Sequence, residues 1–124
     1  MTRSYEMKTP YRGIPLSIHG AIEIVAAPAL ILAPFLLGFG QGAGAVSIAL
    51  GAMLMGLALA THTDSRTIPL TAHAGFDYVI GVLAVLAGLV AGIGGDAVAT
   101  AFLAGFGAAH LALTASTRFS VRGI

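Results

Sequence analysis

IPLSIHGAIEIV, residues 14–25, and IPLTAHAGFDYV, residues 68–79, are nearly the same segment written twice, 54 positions apart. Ile, Pro, Leu and His recur in register, and Glu23 in the first copy is answered by Asp77 in the second. Continued without a gap, the match pairs Gly38 with Gly92, Gly40 with Gly94, Gly51 with Gly105, and the run Leu57, Ala58, Leu59 with Leu111, Ala112, Leu113. Identities among Ala, Gly and Leu weigh little in a chain this rich in them. The shared Ile-Pro-Leu-x-x-His opening and the Glu-for-Asp exchange weigh more. The reading is a polar tail over 1–13 followed by two tandem units over 14–67 and 68–120.

Each unit holds two apolar stretches. With 57% hydrophobic residues, 9% charged residues and a mean hydropathy of +0.94, the chain falls far below the quarter of charged residues usual in soluble domains. Apolar runs near 16–39, 45–61, 70–92 and 97–116 approach or exceed the roughly 17–25 helical residues needed to cross a bilayer. The links between them are Gly-rich turns over 40–44 and 93–96 and a polar segment over 62–69, all short enough to make neighbouring helices antiparallel. The expected fold is all-α: a four-transmembrane-helix bundle built from two helical hairpins. Repeats of two spans each share one topology, so they are expected to be related by a pseudo-two-fold axis along the membrane normal, with equivalent residues at equal depth.

Orientation follows from the cations. Arg3, Lys8 and Arg12 precede the first span, Arg66 lies between the second and third, and Arg118 and Arg122 follow the fourth, whereas the Gly-rich turns contain no Lys or Arg. Basic residues are retained on the cytoplasmic side, so both termini and the central loop are expected to be cytoplasmic, in the inner (plasma) membrane. The first apolar stretch is too long for a signal-peptide core and is read as a retained span, behind an interfacial tail, MTRSYEMKTPYR. The bilayer is the expected partner, with a second copy or another membrane protein completing an assembly, since four spans enclose little space. A net charge of +1 with dispersed basic residues excludes a nucleic-acid partner. The absence of Cys removes disulfides and thiolate chemistry.

Within this apolar sequence the polar residues stand out. His19 with Glu23, and His73 with Asp77, are each four apart, which puts both groups on one helical face. Those faces continue through Ala26, Ala27 and Leu30, and through Gly81, Ala84 and Gly88; such small residues let helix backbones approach one another, as at the Gly88-x-x-x-Gly92 contact. At 1.5 Å per residue the carboxylates lie about 10 Å inside the hydrocarbon, where an ionised side chain costs about 2.5–3.5 kcal/mol on insertion scales. They are therefore expected to face the bundle interior. His110 on the fourth helix is placed to reach the same level, while His62 and Asp64 lie nearer water. Imidazole nitrogen with carboxylate oxygen suits Zn, Fe, Mn or a similar divalent transition metal, and it equally suits a proton relay. It also suits a third role, as hydrogen-bonded glue between helices in a structural or accessory subunit. Haem on His19 and His73 is the weaker reading, because each has a carboxylate one turn away. No phosphate loop, Ser-His-Asp set or zincin motif is present, so an enzyme using His and carboxylate as acid-base groups or metal ligands ranks third, behind the cation or proton site and the structural subunit.

Pro28 and Pro34 fall inside the first span, where each removes a backbone hydrogen bond and can kink the helix. The segment APALILAPFLLGFGQGAGAVSIALGAMLMGLALA, residues 27–60, resembles the SPW-repeat family of small bacterial integral membrane proteins, with Ala33-Pro34-Phe35 standing where that family has Ser-Pro-Trp. The resemblance covers the first repeat only, and it implies tandem helical hairpins rather than an activity.

Overall fold

In a computed structural model the chain is described over residues 13–61 and 68–120. Four helices run in sequence: α1 (Leu16–Leu37), α2 (Gln41–Thr61), α3 (Leu70–Ile93) and α4 (Ala97–Ala115). All four are long and apolar enough to cross a membrane. The tail, His62, Asp64 and the cations Arg3, Lys8, Arg12, Arg66 and Arg122 lie outside the described residues.

The dominant packing is within hairpins, α1 on α2 and α3 on α4. Tight crossings rest on absent side chains. A Cβ on Gly51 would stand 2.9 Å from the Ala27 carbonyl oxygen, and one on Gly107 would stand 2.6 Å from that of Gly81. A two-residue parallel strand pair, β1 (Ile14–Pro15) with β2 (Thr117–Arg118), ties the start of α1 to the end of α4. At the opposite end Asp96 caps α4 by accepting from the Ala99 N–H at 3.1 Å, and its second oxygen accepts from the Gly40 N–H of the other turn at 2.8 Å.

The first turn is shorter than the sequence suggested. α1 ends on Gly38, in the left-handed region with φ 73°, and its N–H closes back on the Pro34 carbonyl at 3.0 Å, the usual glycine termination. α2 already begins at Gln41, so Gly42 and Gly44, expected in a turn over 40–44, are helical. In lipid every backbone polar group needs a partner, which favours extending a helix through glycine. Gly44 is also where α2 meets the Pro34 ring.

Burial modifies the gapless alignment. Between α1 and α3 the buried positions keep the 54-residue spacing: His19 and His73, Glu23 and Asp77, Ala27 and Gly81, Leu30 and Ala84, Pro34 and Gly88. Between α2 and α4 they match at 56: Ser47 and Leu103, Gly51 and Gly107, Leu54 and His110, Ala58 and Thr114. Gly105, aligned with Gly51 in the sequence, has open space where its Cβ would be. The extra two residues sit at the second turn, where α3 runs on to Ile93.

Pro34 leaves the Leu30 carbonyl without its helical donor. Ser47 on α2 supplies one, its hydroxyl donating to that carbonyl at 2.6 Å, as expected where proline is tolerated inside a span. The outer surface is apolar, with Val25, Phe35, Leu36 and Ile93 widely exposed, whereas His19, Glu23 and Asp77 are fully buried. This polar-inside, apolar-outside arrangement is what lipid as solvent requires.

Candidate metal centre

α1 and α3 each bring a histidine and, one turn on, a carboxylate to the bundle interior. The groups meet. His19 Nε2 is 2.8 Å from Glu23 Oε2 and 2.9 Å from Asp77 Oδ2, one contact on its own helix and one across to α3. His73 Nε2 is 3.2 Å from Asp77 Oδ2 and 3.4 Å from Glu23 Oε1, so it too faces both carboxylates. One ligand atom from each of His19, Glu23, His73 and Asp77 lies within 4.8 Å of all the others.

His110 joins from α4. Its Nε2 is 3.3 Å from Asp77 Oδ1 and 3.9 Å from Glu23 Oε2, and its ring stacks on Phe106 at 5.3 Å between centroids. The matching position on α2 is Leu54, so this third imidazole is present on one side only. Phe119, just beyond β2, packs against the rings of both His19 and His73, at 5.1 and 6.0 Å, and covers the cluster on the side of the chain ends. All five residues singled out in the sequence therefore converge, His110 as an outer member bonded to Asp77.

The polar atoms are incompletely satisfied by one another. Glu23 Oε1 and His73 Nε2 are buried and have no hydrogen-bond partner, although they are 3.4 Å apart. Such orphans are rare and costly in a protein interior. His19 Nε2 is hydrogen-bonded to both carboxylates, whereas His73 Nε2, 3.2 and 3.4 Å from them, is bonded to neither. Ligand atoms about 2.0–2.2 Å from one cation are about 3.3–3.6 Å apart at tetrahedral angles; the His73 separations of 3.2 and 3.4 Å are close to that, and the His19 separations of 2.8 and 2.9 Å are shorter. The donor set of imidazole nitrogen and carboxylate oxygen, without sulfur, belongs to Zn, Fe or Mn more than to soft copper. Two carboxylates and neutral imidazoles sum to two negative charges. One divalent cation neutralises that sum, and two would overshoot it in a medium that penalises net charge.

Two further residues take part that the sequence did not flag. Thr117 Oγ1 is 2.8 Å from His19 Nδ1 and donates to the Leu113 carbonyl at 2.7 Å. Thr61 Oγ1 is 3.1 Å from His73 Nδ1 and donates to the Leu57 carbonyl at 3.0 Å. In sequence each reads only as a threonine closing an apolar run. The available signal was their spacing of 56 residues, hidden behind the 54-residue match. No protein-family model matches the chain, and neither a curated protein nor a solved structure matches it.

Proposed function

We propose that this protein binds one divalent transition-metal cation inside the bilayer, with His19, Glu23, His73 and Asp77 as ligands and His110 orienting Asp77. The observation that supports this best is the pair of orphaned atoms, Glu23 Oε1 and His73 Nε2, in a fully buried set of donors. A cation satisfies both and neutralises the two carboxylates. Helix glue alone would use the same groups, and it would be expected to leave none of them without a partner. The metal's chemistry here is coordination, and the chain's own residues hold and orient it. The end carrying the chain termini, with Arg118 and the basic residues of the tail, faces the cytoplasm in this reading, and the apolar exterior faces lipid.

Metal analysis of the protein purified in detergent and dialysed against Zn, Mn or Fe(II) tests the reading. Wild type is expected to retain about one equivalent of one of these metals, and the Glu23→Gln, Asp77→Asn double variant none. A wild type that takes up no metal at any neutral pH, while remaining folded, would assign the cluster to helix packing instead.

A further inference from the structure

The two histidines are held from behind as well as in front. Each Nδ1 meets a threonine hydroxyl, His19 that of Thr117 at 2.8 Å and His73 that of Thr61 at 3.1 Å. A hydroxyl has a single hydrogen. Both threonines commit it to the carbonyl four residues back, Leu113 for Thr117 and Leu57 for Thr61. The oxygen facing the ring can then only accept, so the ring must donate from Nδ1–H. In the neutral imidazole that leaves the lone pair on Nε2, the atom that faces Glu23 and Asp77.

From this we infer that Thr61 and Thr117 are positioning residues that hold His73 and His19 in the Nδ1–H tautomer, so that both present an Nε2 lone pair to the cation. The inference rests on the metal reading above. Its chemistry is that of outer-sphere partners at metal sites, where the non-ligating ring nitrogen donates to a fixed acceptor that sets tautomer and ring angle. Each threonine belongs to the hairpin opposite its histidine's. Thr61 ends α2 and reaches α3, while Thr117 lies in β2 and reaches α1. The β1–β2 pairing, with Ile14 opposite Thr117, fixes the second of these contacts. Ligand orientation in one half thus depends on closure by the other. Thr114 provides an internal contrast: its buried hydroxyl makes the same back-bond, to the His110 carbonyl at 2.8 Å, and it is a back-bond of the ordinary kind for threonine in a helix.

The test compares Thr61→Val, which keeps shape and removes the hydroxyl, with Thr61→Ser, which keeps the hydroxyl, then repeats the pair at Thr117, with Thr114→Val as control. The first readout is the ring 15N spectrum of the protein with and without Zn. Wild type and the Ser variants are expected to show a hydrogen-bonded Nδ1–H on His19 and His73 in both states, with Nε2 also protonated against the carboxylates in the metal-free protein and proton-free once Zn is bound. Thr61→Val is expected to release His73 alone, and Thr117→Val His19 alone. The second readout is Zn affinity by chelator competition. The Val variants are expected to bind about 10–100-fold more weakly, the Ser variants near the wild-type value, and Thr114→Val unchanged. Unaltered Nδ1–H signals in the Val variants would overturn the inference, as would a loss shared equally by Ser, Val and the Thr114 control. A wild type that binds no metal would sink the metal reading while the ring spectra still decide the role of the threonines. Should Thr117→Val fail to fold, the half-buried Thr61 gives the same answer on its own.

Discussion

At the scale of single residues, the centre is decided by how five titratable side chains share very little space. His19 Nε2 serves two carboxylates at once, at 2.8 and 2.9 Å, and a single N–H cannot point squarely at both. A cation can be met from several directions; a proton cannot. Imidazole nitrogen and carboxylate oxygen ligate only in their deprotonated forms, so metal and protons compete for these atoms. The sign follows for a cation held here: occupancy is expected to be highest toward alkaline pH and to fall as the pH drops, and loading the metal-free protein is expected to release protons. Isothermal titration in two buffers of different ionisation enthalpy counts them; a count of zero would contradict ligation. His110 is different in kind. It reaches Asp77 Oδ1 at 3.3 Å from a position where the other hairpin has Leu54. His110→Leu is therefore expected to keep one metal per chain and to weaken it about 10–100-fold, the usual effect of an outer-sphere partner, whereas His19→Ala or His73→Ala removes a ligand outright. A chelator-competition series over the three variants checks that order.

At the scale of helices, close packing and proline repair rest on identifiable atoms. Pro34 leaves the Leu30 carbonyl unpaired and Ser47 donates to it. Ser47→Ala should then cost about 1–3 kcal/mol, the penalty of a buried unsatisfied acceptor. In a Pro34→Ala background the backbone N–H returns and the same substitution should cost little. Thermal unfolding of the four-member cycle measures the coupling, and additivity would refute the assignment. The glycines give a second test, one that separates the two alignments. Gly107→Ala drives a Cβ to 2.6 Å from the Gly81 carbonyl oxygen, whereas Gly105→Ala meets nothing within 4 Å. The first should destabilise by about 1–3 kcal/mol, and the second should be neutral or slightly stabilising, since alanine is the better helix former. Low complexity explains why sequence alone could not make this distinction: with Ala, Gly and Leu at most positions, α2 and α4 match by chance at 54 as readily as by structure at 56. The spans themselves were legible because hydropathy over twenty residues swamps local noise, and both His-carboxylate faces were legible because spacing by four admits one helical reading. The strand pair was not, being two residues at the edge of each apolar run. Nor was the role of Thr61 and Thr117, which depends on contacts between hairpins.

At the scale of the whole molecule, the two hairpins are each internally tight and more sparsely joined to one another, so the few polar crossings between them matter disproportionately. Among the described residues, at one end there is the Asp96 bond to Gly40, beside the apolar edge-on contact of Phe39 with Phe102 at 5.7 Å. At the other are the β1–β2 pair, the two threonine-histidine bonds and the cluster itself, whose His-carboxylate pairs come from α1 and α3. A cation bound there links one hairpin to the other, and the separated halves offer no equivalent site. Binding that requires the closed bundle stabilises it by mass action, by about 2.7 kcal/mol when free metal is a hundredfold above its dissociation constant. Thermal unfolding in detergent should therefore shift upward with added Zn or Mn and return on chelation. In the Glu23→Gln, Asp77→Asn variant it should not respond. The metal-free variant itself is expected to be no less stable than metal-free wild type, because each amide keeps an oxygen that accepts from the imidazoles while the desolvation of two buried charges is removed. Should the variant instead unfold far below metal-free wild type, and wild type ignore metal altogether, the carboxylates hold the hairpins together directly and the cluster is a packing device. The two accounts thus predict opposite orders of stability for the same pair of metal-free proteins.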